Sequence, residues 1–294
     1  MKSSVIIISN PVAKRASGKK VNKAFNYLRS QGYNVEVSCT EQKNHAEHLA
    51  KEAIRKSPAL IIAAGGDGTF NEVINGVAGT EIPVAILPMG TTNVLAKELD
   101  IPENVIGAMK LAVTRTPRKI SLGKIIIFDG SSQLSRYFIL MAGIGFDGEA
   151  VRGLNERFKK ISGKGAYIFS GIQTLIRFRP EELTLSMEGK NYTGYSAVVG
   201  KAAKYGGHFK ITPDAKLTDP ALYVCVFKSK RRVAIIRYFF GVLTGSHLRF
   251  KDVEYIRTDT VKIKGRAHVQ LDGDYFGMTP AELTVAPHIA NLIF

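Results

Sequence analysis

The sequence predicts an α/β domain with a doubly wound parallel sheet, followed by a mostly antiparallel β-sandwich or barrel. The chain has 294 residues, which is enough for two hydrophobic cores. Up to residue 118, apolar runs typical of buried strands alternate with segments of helical spacing, the pattern of a parallel sheet covered by helices. Beyond it, successive strand patterns are separated by Asp-Gly and Gly-Lys turns, which favours antiparallel pairing. The predicted domains are therefore 1–118 and 119–277, with segment 278–294 returning to the first domain.

The composition indicates a globular protein with anionic partners. No window approaches the roughly 18 consecutive apolar residues of a membrane span, so any membrane contact is expected to be peripheral. The two cysteines lie far apart in sequence and suggest neither a disulfide framework nor a zinc site, so a cytoplasmic location is expected. A net charge of +16 favours nucleotides, nucleic acid or an anionic bilayer surface. No nucleic-acid-binding pattern is recognisable, so nucleic acid is not expected as a partner.

The first domain is predicted to contain four strands with helices between them. The strands are 5–9, 35–39, 60–64 and 83–87, and the helices are 21–29, 45–56 and 70–77. The third strand ends in a glycine-rich turn. Gly65, Gly66 and Gly68 lack a Cβ, so the backbone can direct its N–H groups at an anion, and Thr69 stands where a helix N-cap is expected. The turn predicts a phosphorylated ligand, with a plain tight turn as the alternative.

Further polar residues are predicted beside this turn. Asn71 and Glu72 fall in the first turn of the following helix, near the positive end of its dipole. The fourth strand ends in a second turn of small residues, where Gly90, Thr91 and Asn93 are placed to meet a ligand from the opposite side. Ligands of doubly wound sheets bind beyond the carboxyl ends of the strands, so the two turns are expected to share one crevice.

The second half is predicted to be mostly strands, with two helices at 164–178 and 231–243. The strand candidates are 120–128, 137–142, 182–187, 192–199, 222–227, 254–258, 261–264, 268–271 and 281–285. Asp272 directly follows an alternating strand and is therefore expected at a strand end. A carboxylate there could accept the proton of a substrate hydroxyl during phosphoryl transfer. A simple Asp-Gly hairpin turn is the alternative.

An ordered set of motifs resembles the diacylglycerol kinase catalytic-domain family, which includes soluble bacterial lipid kinases and the sphingosine and ceramide kinases. The motifs are Asn10-Pro11, Gly65-Gly-Asp-Gly-Thr-Phe-Asn-Glu72, Leu87-Pro-Met-Gly-Thr-Thr-Asn93, Gly143-Ile-Gly-Phe-Asp147, Gly206-Gly207 with Pro213 and Ala215, and Leu271-Asp-Gly273. Together they cover nearly the whole chain. The glycine turn alone would also fit the more distant NAD kinases. The resemblance implies an NAD-kinase-like parallel sheet and a β-sandwich, with the active site in the cleft between the two domains.

The resemblance also implies site residues. ATP would be bound by Asn10, Thr40, Gly65, Gly66, Asp67, Gly68, Thr69, Asn71, Glu72, Gly90, Thr91 and Asn93. Asp67 would sit where the phosphates meet the catalytic Mg²⁺, a cation that prefers carboxylate and phosphate oxygens. Asp272 matches the family's general base.

A second, structural Mg²⁺ is implied by the match of Asp219 and of the backbone carbonyls of Lys216 and Ala221 to a site of the bacterial members. The chain departs from the family pattern at three positions: Pro220 in place of glycine, His208 in place of the third glycine of a Gly-Gly-Gly run, and Asp274 in place of glutamate. The first departure puts the structural metal in question. The last shortens a side chain beside the base.

The binding site for the lipid that accepts the phosphoryl group is expected to be apolar. Segments 167–176 and 233–243 are apolar enough to line or cover a lipid cleft, with ordinary core helices as the alternative. The second segment follows four basic residues within 228–232, which fits an edge that touches anionic head groups at the inner membrane surface.

The predicted function is that of an ATP- and Mg²⁺-dependent lipid kinase, with diacylglycerol as the leading acceptor and phosphatidic acid as the product. An NAD kinase is the nearest alternative. A nucleotide-regulated lipid-binding protein without catalysis is the alternative from another class. The sequence leaves the acceptor lipid and the oligomeric state open, a homodimer included.

Overall fold

The computed structural model describes residues 3–11, 17–130, 132–157 and 179–294. The chain divides into two compact units. One comprises Met1–Ser121 with Pro287–Phe294, and the other comprises Leu122–Ala286. The boundaries that the sequence predicts, 118 and 277, lie near these divisions without coinciding with them.

The first unit is a parallel sheet with helices between its strands. Its elements are β1 (Ser4–Ser9), α1 (Ser17–Ser30), β2 (Asn34–Cys39), α2 (His45–Ile54), β3 (Leu60–Gly65), α3 (Asp67–Val77), β4 (Pro83–Pro88), α4 (Val94–Glu98) and α5 (Val105–Thr114). The strands pair in parallel in the order β2-β1-β3-β4. Ile7 and Ile62, within neighbouring strands, are fully buried, as expected for a parallel sheet covered on both faces. The predicted α/β class is confirmed.

The second unit consists mainly of antiparallel strands. Its elements are β5 (Arg118–Asp129), β6 (Ser132–Phe138), β7 (Met141–Ile144), α6 (Phe146–Arg157), β8 (Leu183–Met187), β9 (Lys190–Gly194), β10 (Ser196–Gly200), β11 (Lys204–Tyr205), β12 (Phe209–Lys210), β13 (Leu222–Phe227), α7 (Arg232–Thr244), β14 (Val253–Thr258), β15 (Thr260–Lys264), β16 (His268–Leu271), β17 (Asp274–Met278) and β18 (Ala281–Leu292).

Two sheets of this unit enclose one hydrophobic core. One sheet has the order β14-β13-β10-β7-β16-β17, and the other contains β18-β15-β8-β9 with β5 and β6 beside it. Val199 and Val224 from the first sheet belong to the same buried cluster as Leu185 and Val261 from the second. Alternate side chains of both sheets therefore point inward, which is the packing of a sandwich. The β-sandwich prediction is confirmed.

Two predicted strands are each divided in the structure. Segment 137–142 is broken at Ile139 and Leu140, because the backbone N–H groups of these residues bond to a side chain, that of Asp272, instead of a strand. Segment 192–199 is broken at Tyr195, because the chain leaves one sheet with β9 and enters the other with β10. Apolar periodicity continues through both breaks, so the sequence pattern does not reveal them.

Other elements differ from the sequence prediction in extent. Helices α5 and α6 and strand β17 were not predicted, and α6 begins inside a glycine-rich segment that reads as a turn. Strand β18 runs to Leu292, where its last residues pair in parallel with β4. The predicted helix at 164–178, and with it the apolar segment 167–176, lies outside the described residues.

Candidate functional site

The two predicted phosphate turns of the first unit contact each other. The carbonyl oxygen of Gly65 accepts the N–H groups of Met89 at 2.7 Å and of Gly90 at 3.1 Å. A Cβ on Gly90 would lie 2.8 Å from the Cα of Gly66, so the backbones approach too closely for a side chain there. The structure thus brings the turn after β3 and the turn after β4 together at one edge of the sheet.

Helix α3 begins earlier than the sequence predicts. Its first residue is Asp67 and its N-cap is Gly66, whose backbone is extended with φ −106° and ψ −172°. Thr69 therefore lies inside the first turn, where it is buried, and its predicted role as the N-cap is wrong. The reason is that the extended backbone of Gly66 allows the helix to begin at the next residue, Asp67. The first N–H groups of a helix have no partner within it, so this turn can bind an anion.

Asp67 and Glu72 each bond to the N-terminal region of another helix. The carboxylate of Asp67 accepts the N–H groups of Val94 and Leu95, both at 3.0 Å, at the start of α4. The carboxylate of Glu72 accepts backbone N–H groups just before and at the start of α2, at 3.0 Å each. Each oxygen of an ionised carboxylate has about two acceptor positions. Asp67 therefore keeps acceptor capacity on both oxygens while its orientation is fixed.

Asn10 and Thr40 lie just beyond the ends of β1 and β2. The N–H of Asn10 donates to Ala64 at 3.0 Å, and the N–H of Thr40 donates to Ser9 at 2.8 Å. Because these strands are parallel to β3, both residues lie at the same sheet edge as the glycine turn.

Asn93 closes the second turn with its side chain. Its Oδ1 accepts the N–H of Gly90 at 3.0 Å, its Nδ2 donates to the Gly90 carbonyl at 3.1 Å, and its backbone has φ +48°. Thr91, between them, is exposed. Asn71 is buried in α3, where its carbonyl and Oδ1 accept bonds from Asn75. Asn93 therefore shapes the turn, whereas Thr91 is accessible to a ligand.

Asp272, in the second unit, is held by backbone N–H groups. Its Oδ1 accepts the N–H of Leu140 at 2.8 Å and of Met141 at 2.9 Å, and its Oδ2 accepts the N–H of Ile139 at 2.8 Å. Its own N–H donates to the carbonyl of Met141 at 3.0 Å. These bonds use both oxygens of the carboxylate and fix its orientation. The residue is half-buried at the end of β16, with φ +49°.

A side-chain network lies beside the Asp272 loop. Gln270 accepts the N–H of Gly273 at 2.7 Å and donates to Oδ2 of Asp147 at 2.6 Å. The hydroxyl of Tyr205 donates to the other oxygen of Asp147. Burial raises the pKa of Asp147 above its usual range, and the bonds from Tyr205 and Gln270 oppose this shift. The sequence prediction gave no role to Gln270, although it lies two residues before Asp272.

The network explains why residue 143 is a glycine. A Cβ on Gly143 would lie 1.9 Å from Oδ2 of Asp147. A side chain at this position would therefore displace the carboxylate. Three motifs that are far apart in sequence, around Gly143, Tyr205 and Gln270, meet at this point.

Two of the three groups predicted to bind a structural Mg²⁺, the Lys216 carbonyl and the Asp219 carboxylate, are engaged by other side chains. The ammonium of fully buried Lys201 donates to the carbonyl oxygens of Lys216 and Asp219, both at 2.6 Å. The Asp219 carboxylate accepts bonds from Arg257 at 3.0 Å and from the Tyr223 hydroxyl at 2.8 Å. Burial lowers the pKa of Lys201 to about 8, and the Asp219 charge opposes this shift. The Lys216 carbonyl and the Asp219 carboxylate are thus already bonded to cationic side chains, and the structural Mg²⁺ stays a prediction.

Helix α7 exposes an apolar face. The exposed fractions are 79% for Val233, 42% for Ile236, 57% for Phe239 and 58% for Phe240. Tyr238, in contrast, is buried against Phe227. Among the described residues, no helix is both long and apolar enough to cross a membrane.

An α/β unit with a glycine-rich turn, followed by an antiparallel β-sandwich, defines a two-domain class that includes lipid and NAD(H) kinases. A crystal structure of a diacylglycerol kinase from Bacillus anthracis str. Sterne matches 99% of this chain and 97% of its own, with a TM-score of 0.72 at 21% identity. Yeast NADH kinase in complex with NADH matches 99% of this chain and 83% of its own, with a TM-score of 0.55 at 11% identity. These structures show the shared fold.

Sequence comparison identifies the family within this class to which the chain belongs. Residues 4–125 match the model of the diacylglycerol kinase catalytic domain, and residues 141–294 match that of the YegS C-terminal NAD kinase beta sandwich-like domain. The "Diacylglycerol kinase" of Bacillus subtilis (strain 168) is 32% identical over 284 residues, which cover 94% of this chain and 91% of that protein. That of Staphylococcus haemolyticus (strain JCSC1435) is 30% identical over 98% of this chain and 88% of its own. The chain belongs to the diacylglycerol kinase catalytic-domain family, a family of kinases.

Proposed function

We propose that this protein transfers the γ-phosphoryl group of ATP, with Mg²⁺, to a hydroxyl of diacylglycerol and so forms phosphatidic acid. The observation that carries the proposal is the Asp272 carboxylate, which three backbone N–H groups orient at the end of β16. A carboxylate held in a fixed orientation at a strand end suits a group that must orient a hydroxyl and receive its proton. Relatives named diacylglycerol kinase, similar over nearly the whole chain, make diacylglycerol the first acceptor to test.

In the first unit, the glycine turn and the start of α3 would bind the nucleotide phosphates. The N–H groups of the first helical turn point toward an anion, and the positive end of the helix dipole favours negative charge. Asp67 keeps an acceptor position on each oxygen and would hold Mg²⁺ together with the phosphates, which matches the preference of this ion for oxygen ligands. When bound, the ion neutralises charge on the transferred group.

In the second unit, the carboxylate of Asp272 would accept the hydrogen bond of the attacking hydroxyl. A lipid alkoxide is far more basic than an aspartate, whose usual pKa is about 3.9, so the proton moves late in the reaction. Most of the catalytic effect of Asp272 then comes from orienting the nucleophile. The three N–H bonds suit that role, because they fix the orientation of the carboxylate.

The decisive assay is transfer of labelled phosphate from ATP to a panel containing diacylglycerol, sphingosine, phosphatidylglycerol and NAD. Labelled phosphatidic acid as the main product supports the proposal. Labelled NADP would identify an NAD kinase, the alternative that the shared fold keeps open. Lipid binding without transfer to any acceptor would indicate a non-catalytic lipid-binding protein.

We also propose that the apolar face of α7, formed by Val233, Ile236, Phe239 and Phe240, contacts an anionic membrane. Exposed phenylalanines on a helix that follows a basic segment are typical of peripheral membrane contact. The positive charges at 228–232 would meet anionic head groups, and the net charge of +16 acts in the same direction.

Vesicle co-sedimentation tests this contact. Binding should be stronger to vesicles with phosphatidylglycerol than to phosphatidylcholine alone. The double change Phe239→Ser and Phe240→Ser should reduce it about tenfold or more, because the buried apolar area is lost. Leu134→Ser, at a half-exposed apolar residue of β6, is the matched control and should have little effect. Binding that depends on neither lipid charge nor the phenylalanines would refute the contact.

A further inference from the structure

We propose that the side-chain ammonium of Lys201 is a built-in structural cation, which organises the loop 212–221 in place of the Mg²⁺ that the family resemblance implies. Lys201 directly follows β10, and none of its surface is exposed. Its Nζ lies 2.6 Å from the carbonyl oxygen of Lys216 and 2.6 Å from that of Asp219. Two carbonyls of one loop therefore converge on a single positive charge.

Two of the three predicted metal ligands, the Lys216 carbonyl and the Asp219 carboxylate, are engaged in a way that disfavours a divalent ion. The Lys216 carbonyl already accepts the Lys201 ammonium and the N–H of Asp219. The Asp219 carboxylate accepts bonds from Arg257 and Tyr223. Mg²⁺ requires oxygen ligands at about 2.1 Å in a nearly octahedral arrangement. It would have to share the Lys216 carbonyl with a buried ammonium and the Asp219 carboxylate with Arg257, and the positive charges would repel each other.

The surroundings offset the cost of burying this charge. An ammonium transferred from water to a protein interior needs hydrogen-bond acceptors and a compensating negative charge. Two carbonyl oxygens supply the acceptors, and the nearby Asp219 carboxylate attracts the ammonium. Arg257 balances that carboxylate from the exposed side. The lysine is thus part of a satisfied cluster.

Lys201 also connects the loop 212–221 to the break between β6 and β7, where backbone N–H groups bond to Asp272, the proposed base. The backbone N–H of Lys201 donates to the carbonyl of Leu140 at 2.8 Å, and that of Ala202 donates to the same oxygen at 3.0 Å. The N–H of Leu140 in turn donates to Oδ1 of Asp272 at 2.8 Å. Lys201 therefore holds the loop with its side chain and the Leu140 peptide with its backbone, without any exchangeable ion.

Metal content and unfolding test the proposal without any kinase assay. The protein, gel-filtered in the absence of nucleotide and chelator, should retain well under one Mg²⁺ per chain by elemental analysis. Its Tm should change by no more than about 1 °C when Mg²⁺ is added or EDTA is present at constant ionic strength, because a ligand that does not bind the native state cannot stabilise it.

Two variants sharpen the test. Lys201→Met should lower Tm by about 5 °C or more, because it removes the ammonium from two carbonyls, of which only that of Lys216 keeps another donor, the N–H of Asp219. Lys201→Asn leaves more space, so Mg²⁺ should raise its Tm where it does not raise that of the natural protein. The control Lys216→Met removes an exposed lysine of the same loop but keeps the carbonyl, and should be nearly neutral.

The proposal is overturned if the natural protein retains about one Mg²⁺ per chain and EDTA lowers its Tm. It is also overturned if Lys201→Met is as stable as Lys216→Met. Both readouts are independent of ATP and lipid, so failure of the proposed kinase reaction would not affect them.

Discussion

Replacing Asp272 with asparagine removes one oxygen and the charge while keeping the size of the side chain. If the amide oxygen takes the place of Oδ1, it can still accept the N–H groups of Leu140 and Met141. The amide nitrogen then faces the N–H of Ile139, and neither group can accept the other. One buried hydrogen bond is therefore lost, and a donor is left without a partner.

The loss has two separable consequences. Leaving a buried donor unsatisfied costs about 1–3 kcal/mol, which lowers Tm by roughly 2–10 °C for a protein of this size. Removing the proton acceptor should lower kcat by about 10² to 10⁴-fold. ATP binding should stay within about twofold, because the proposed phosphate turn lies in the first unit and contains none of the changed atoms.

The assay compares phosphatidic acid formation, ATP binding by calorimetry and thermal unfolding on the same preparations. Asp274→Asn is the control, since it makes the same charge change at an exposed position two residues away. A folded Asp272→Asn variant with nearly normal turnover would refute the role of the residue. An equal loss of ATP binding and turnover would instead show that the change disturbs the whole protein.

Two glycines give further predictions. Gly90→Ala should weaken ATP binding, measured by calorimetry, about tenfold or more, because its Cβ would lie 2.8 Å from the Cα of Gly66 and separate the two turns; unchanged ATP binding would contradict the role of this contact. Gly143→Ala should lower Tm by several degrees and reduce turnover more than ATP binding, because its Cβ would displace the carboxylate of Asp147; unchanged stability would contradict the packing seen here.

Local sequence patterns were sufficient for most of the regular structure. The runs that form β1 and β3 are continuously apolar because both faces of a parallel sheet are covered. The sandwich strands β13 and β15 are recognisable from β-branched and alternating apolar residues between turns. Helix α6 was missed because it begins among glycines, which read as a turn when only neighbouring residues are considered.

The roles of charged side chains could not be predicted from local sequence patterns. Asp67 and Glu72 lie in a motif that suggests phosphate contact, yet each bonds to backbone N–H groups more than 25 residues away. A carboxylate near a glycine turn can face a ligand, a metal ion or the start of a helix, and its neighbours in sequence are the same in all three cases. The choice depends on which helix the fold places beside it.

The sequence by itself determined the two kinds of sheet, the order of their strands along the chain, and the positions of the glycine turns and of Asp272 at strand ends. These features follow from periodicity and turn chemistry, which act over a few residues. Only the tertiary structure decided what surrounds each polar group. It placed the N–H groups of Ile139–Met141 around Asp272, and it placed the Lys201 ammonium against the Lys216 carbonyl, a group that the resemblance implied as a Mg²⁺ ligand. Buried polar groups must find partners wherever the folded chain brings them.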